Sequence, residues 1–226
     1  MADRPTTQPT RPPGVAFSEA IEFFRLVLEI GSDEWLQILA EEGAVSSAIA
    51  DATVRSIIED LVGAIADTVT AGGTLEDFRQ RYDEIVAANG WTYHGNAGWH
   101  SQLLFRLWTG MAFAAGRWEQ ALRLEQARPG SIFVRLVTAG DHRVRHTHAQ
   151  MHGIIRPIGD PYWLTHWPPN GFNCRCHPMI VTARDMRRYG WSVTPDDDPR
   201  LAIEPDEGWA FNAGTAEARL RVAERA

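Results

Sequence analysis

The chain contains no lysine; all 22 of its basic residues are arginine. That fits a GC-rich coding sequence and constrains function little. It has only two cysteines, Cys174 and Cys176. So few thiols exclude a disulfide framework and point to a reducing compartment with free or metal-bound thiols. No run approaches the roughly 20 apolar residues of a membrane span, so no membrane partner is expected. The opening stretch, MADRPTTQPTRPPG, has no apolar segment and does not read as a secretory signal. Residues 1–16 are expected to be a solvated, proline-rich arm. Net positive charge is also missing: the formal charge is −7. A body that acidic is a poor nonspecific binder of nucleic acid. The deficit is uneven, however. Between Pro129 and Ala183 five arginines face two aspartates, a local +3 that leaves −10 for the remainder. Only this segment offers a surface suited to phosphate.

What is present is helix, then a change of texture. With 226 residues, 44% of them hydrophobic, the chain can bury a sizeable core. From Phe17 to Leu124 apolar residues recur at helical spacing. Phe17, Ile21, Phe24 and Leu28 make a first stripe, ended by Gly31. Ser32 is placed to cap a short helix with Trp35, Leu36 and Leu39. Val54, Ile57, Ile58, Leu61 and Ile65 make a third stripe, stopped by Gly72-Gly73. Thr74 and Asp77 form a capping box with Asp in place of the usual Glu. They open a helix carrying Leu75, Phe78, Tyr82 and Ile85 that Asn89-Gly90 closes. A long helix comes next, with Trp99, Leu103, Leu107, Met111, Ala114 and Trp118 on one side. Residues 17–128 are therefore expected to be a helical domain.

Pro129-Gly130 breaks that run, and SIFVRLVT (131–138) reads as a strand. Asp141 is placed to cap a helix from His142 to Met151, with Gly153 as its stop. Ile154-Ile155 and Cys174–Val181 suggest short strands, and Thr182 a cap for a helix beginning near Asp185. Trp163 and Trp167 stand just before a proline pair and read as packing rather than as a stacking platform for bases. Residues 129–183 thus form a small loop-rich module. Residues 184–226 read as an acidic extended linker and a terminal helix. The expected class is α+β, a helical bundle followed by a module fixed by a His/Cys cluster.

The chemistry concentrates there. Six of the eight histidines and both cysteines fall between Ala139 and Pro178. His148 and His152, four apart on a helix, would share one face. With Cys174 and Cys176 they supply two nitrogens and two sulfurs, a set suited to tetrahedral zinc. His142, His146, His177 and Asp141 are alternative donors. The competing reading buries the cysteines as small apolar groups and leaves the histidines hydrogen-bonded to carbonyls. Catalysis is poorly served: His148-Ala149-Gln150-Met151-His152 resembles H-E-x-x-H, but alanine stands where the general base belongs. Asp141 and Arg145 are spaced for a local ion pair.

The strings TAGDHRVRHTHAQMHG, DPYW and PPNGFNCRC, with Asp141, Arg145, His148, Gly153, Pro168, Gly171, Cys174 and Cys176 at their marked places, resemble the phage Mu F-like minor head proteins. The likeness runs from about Phe17 to Trp209-Ala210-Phe211-Asn212. It implies a non-enzymatic minor head protein of a tailed phage or prophage. Such a protein acts in head morphogenesis with the portal protein and other head proteins, and contacts packaged DNA in some cases. It implies a place inside the capsid near the portal after assembly in the host cytoplasm, and no small-molecule substrate. Relatives that carry a toxin or ADP-ribosyltransferase domain have it after the motif, where this chain is expected to be too short for one. The alternative is a metal-dependent nuclease or peptidase acting during head maturation.

Overall fold

The computed structural model describes residues 52–88 and 97–215. The proline-rich arm, the Phe17–Leu28 stripe, the Trp35 helix, the Asn89-Gly90 stop and the terminal helix beyond Thr215 lie outside them. Helix α1, Ala52–Thr70, buries Leu61 and Ile65 of the expected stripe, with Val62 beside them. Gly72, at φ 70°, turns the chain back. Thr74 and Asp77 then form the anticipated reciprocal cap. Asp77 Oδ2 accepts from Thr74 N at 2.6 Å, and Asp77 N donates to Thr74 Oγ1 at 3.4 Å. Helix α2, Leu75–Ala88, presents Phe78 and Tyr82 inward.

Helix α3, Ala97–Ala127, is 31 residues long. It carries two buried arcs rather than one stripe. Trp108, Met111, Ala112 and Ala115 pack on α1 and α2. Ala114, Trp118 and Ala121 pack instead on the segments C-terminal to the helix. The run of alanines makes this possible, because a small side chain lets neighbours approach from two directions at once.

After α3 comes a three-stranded antiparallel sheet in the order β2-β1-β3. Its strands are β1 (Ile132–Val137), β2 (Ile155–Pro157) and β3 (His177–Thr182). Central β1 alternates cleanly: Ile132, Val134 and Leu136 are buried, and Arg135 faces away, its guanidinium over Trp191. Between β1 and β2 lies helix α4, His146–Gln150; between β2 and β3 lies α5, Tyr162–Thr165. Trp163 and Trp167 are fully buried and meet at 90°, and Trp118 meets Trp167 at 81°. The Trp167 indole donates to Ala114 O at 2.9 Å, which joins the loop to α3. The packing role read for these tryptophans is what the structure has. Helix α6, Ala183–Tyr189, opens on a capping box of Thr182 and Asp185.

The stretch after Trp191 is extended, as its composition suggests, and it is also fixed. Thr194 exchanges two bonds with Ile155, at the end of β2. A 3-10 turn, Pro199–Ala202, comes after it. Trp209, Phe211 and Ala213 then return to the first cluster, and buried Asn212 donates to Trp163 O at 3.1 Å. A Cβ on Gly214 would lie 2.6 Å from Trp118. Each anchor is a single residue, so no period in the sequence marks this packing. No described helix is long and apolar enough to cross a membrane.

Trp167 carries both the ring packing and the link to α3. Trp167→Ala should cost about 3–5 kcal/mol. Trp167→Phe keeps most of the ring contact, should cost less, and loses about 1 kcal/mol with the indole bond. Urea denaturation of the full chain measures both, and equal losses would contradict the packing role of the ring.

Candidate metal centre

The loop between β1 and α4 departs from its local reading. Asp141 does not cap a helix. One carboxylate oxygen accepts from Arg143 N at 3.0 Å, and both oxygens take the Arg175 guanidinium at 2.6 Å. A planar fork that fills both oxygens outcompetes a cap. The helix therefore begins only at His146, with Arg145 at its N-cap. Four-residue adjacency holds only within a helix, so Asp141 and Arg145 do not pair. Arg145 instead binds Asp206 at 3.1 Å and donates to Phe172 O at 2.6 Å. Gly153, at φ 84°, ends the turn as expected.

The short helix separates the two histidines expected to act together. His148, within α4, is buried at 1% exposure. His152 lies beyond its end, and its Nδ1 accepts from Thr138 N at 3.1 Å. His152 is thus not brought to the thiols. His148 is: its Nδ1 lies 3.6 Å from Cys174 Sγ and 3.8 Å from Cys176 Sγ. The three donor atoms fall within 4.8 Å of one another. A tetrahedral zinc with Zn–S of about 2.3 Å and Zn–N of about 2.0–2.1 Å has N···S edges of about 3.6 Å. The observed separations match that edge, so the donor set fits zinc in kind and in spacing. The cysteines precede β3, which fixes the loop that carries them.

The far side of the ring is held as well. His148 Nε2 lies 3.3 Å from Asp206 Oδ1. A carboxylate on the distal nitrogen fixes the tautomer that turns Nδ1 toward a metal. Asp206 N donates to Asn170 O at 3.0 Å, and a Cβ on Gly171 would overlap the Asp206 carboxylate. Gly171 is therefore required for close approach, and Pro168 is buried in the same loop. Asp206 had no sequence signal. It stands in an acidic stretch 58 residues from its partner.

Charge within the cluster is split unevenly between the two thiols. The Cys174 thiol is lowered to about 4, chiefly by a hydrogen bond from Cys176, then by His148 and by the amides of Asn170 and Cys176. Cys176 is pushed up by the same bond to Cys174 and by burial. Burial alone would lower His148, but Cys174 and the charge of Asp206 outweigh it and the net shift is upward. Of the other histidines in this half, His166 is buried with its Nε2 at Ile203 O, 3.0 Å away. His142, His146, His177 and Asp141 do not join the three donors.

Residues 59–179 match the sequence profile of a family described as Phage Mu protein F like protein. The chain is 26% identical over 240 residues to the putative capsid assembly protein F of Escherichia phage Mu, covering 88% of this chain and 54% of that protein. It is 24% identical over 173 residues to the Mu-like prophage FluMu F protein of Haemophilus influenzae, covering 72% and 41%. The chain spans about half the length of these curated relatives. No solved structure matches it.

A thiol lowered this far stays ionised as acid is added and protonates only near its folded value, so alkylation of Cys174 should persist well below the range of a free thiol, about 8.5. At about pH 6, iodoacetamide with peptide mapping should label Cys174 faster than Cys176 in metal-free protein. Equal labelling, or none below neutral pH, would contradict the thiolate assignment.

Proposed function

The chain belongs to the phage Mu protein F like family, and on that footing we propose that it is a non-enzymatic minor head protein of a tailed bacteriophage or prophage. It works in head morphogenesis beside the portal protein and other head proteins. It is made in the host cytoplasm and ends in the virion, inside the capsid near the portal. The observation that carries this reading is the reach of the family match, which runs from α1 into β3 and contains His148, Cys174 and Cys176. The name of the phage Mu relative supports the assembly role.

In this reading His148, Cys174 and Cys176 hold a structural zinc. The metal joins α4 to the loop before β3 across about 26 residues and restricts the unfolded chain as a cross-link does. No further carboxylate, histidine or cysteine among the described residues joins these donors. Asp206 faces the opposite ring nitrogen. A base to activate water is therefore not at hand, which favours architecture over a nuclease or peptidase. The segment with local charge +3 faces packaged DNA, while the acidic remainder meets protein partners.

Purified full-length protein should carry about one zinc per chain. Cys174→Ser and His148→Ala should abolish it, and Asp206→Asn should weaken zinc by about 10–100-fold. Elemental analysis decides this, and metal-free wild type would end the zinc assignment. For the assembly role, loss of the gene should stop the formation of DNA-filled heads. A localised reconstruction of the portal vertex should show the chain there. Normal filled heads without it would overturn the proposal. DNA binding should fall steeply with salt.

A further inference from the structure

The zinc reading leaves one coordination direction open, and the inference drawn from it rests on that reading. Among the described residues three protein donors converge, and the residue expected to be fourth, His152, is held by Thr138. Against the three donors lies a cavity of about 20 Å³, room for one or two ligand atoms. Its other walls are Arg143, Val144, Arg145, Asn173 and Arg175. None of these is a zinc donor by preference, and three are cations. The cavity shares Arg143, Asn173, Cys174, Arg175 and Cys176 with a half-open cleft of about 720 Å³ between α3 and the cysteine loop. The cleft adds Arg106 and an apolar wall of Leu107, Phe113 and Pro178.

We infer that the metal at His148, Cys174 and Cys176 takes its fourth ligand from outside the chain, as a carboxylate on an apolar body that enters through this cleft. Zinc with two thiolates and one imidazole is formally neutral, so an anionic fourth ligand makes the centre −1. The arginines at its mouth offset that charge. They are not bare: Asp141 holds Arg175 at 2.6 Å and lies 3.9 Å from Arg143, and Asp206 holds Arg145. Arg143 is the loosest of these pairs and its side chain the most exposed, at 71%, which leaves it able to turn toward an incoming anion. The apolar wall selects the body of the ligand, and the metal selects its oxygen. With no further His, Cys or carboxylate joining the three donors among the described residues, the position holds a ligand rather than activating water.

Cobalt(II) in the full chain reports this directly, because its visible bands respond to coordination. Loading should give a thiolate-to-cobalt band, and acetate should then shift the cobalt bands saturably. Hexanoate should bind several-fold tighter than acetate, since its methylenes meet the apolar wall. Arg143→Gln should weaken acetate by about fivefold, the scale of one partly exposed ion pair. Cobalt bands indifferent to both carboxylates would mean a closed site and overturn the inference while leaving the structural metal standing. Equal affinity for acetate and hexanoate would overturn the cleft as the route. Failure to load cobalt at all would remove the metal reading together with the inference.

Discussion

A buried imidazole pinned between two sulfurs and a carboxylate is the contact on which the C-terminal half of the described chain depends. His148 reaches Cys174 and Cys176 through one nitrogen and Asp206 through the other. Three segments far apart in sequence meet there: α4, the loop from Asn170 to Cys176, and the stretch carrying Asp206. Only β1 and β3 are held by a long ladder, six residue pairs. The rest of the module is loop, and loops lack the backbone ladders that would otherwise fix them. A cluster of charge and soft ligands supplies that constraint instead.

Much of the fold is legible in the sequence because its causes are local. The α1 stripe, the Thr74/Asp77 and Thr182/Asp185 caps and the alternation in β1 each depend on residues within a few positions of one another. The departures share a different cause. Spacing along a helix gives Asp141 a cap and His152 a metal, but the helix in question is five residues long. Where it starts is decided by Arg175, 34 positions away from Asp141. Spacing rules assume the element they are applied to, and here tertiary pairing set the element's length.

The site is legible in its donors and illegible in its support. Residue type and crowding single out Cys174, Cys176 and His148. They cannot single out Asp206, since an aspartate in an acidic stretch looks like any solvated charge. Gly171 belongs to a motif whose spacing gives no reason for it; the reason is the carboxylate packed where its side chain would be. The family and the physical reading thus meet at one place. The residues whose pattern resembles the family include those that close the cluster or clear space for the group that orients it.

Helix α3 contributes to both clusters, and the last described segment returns from the sheet side to the bundle side. One rigid rod therefore runs through both halves, and a strap behind ties them again. A tug applied to the loop module is felt at Trp108 almost as directly as at Trp118. The loop module and the bundle are thus coupled twice, once through the helix and once through the returning strap.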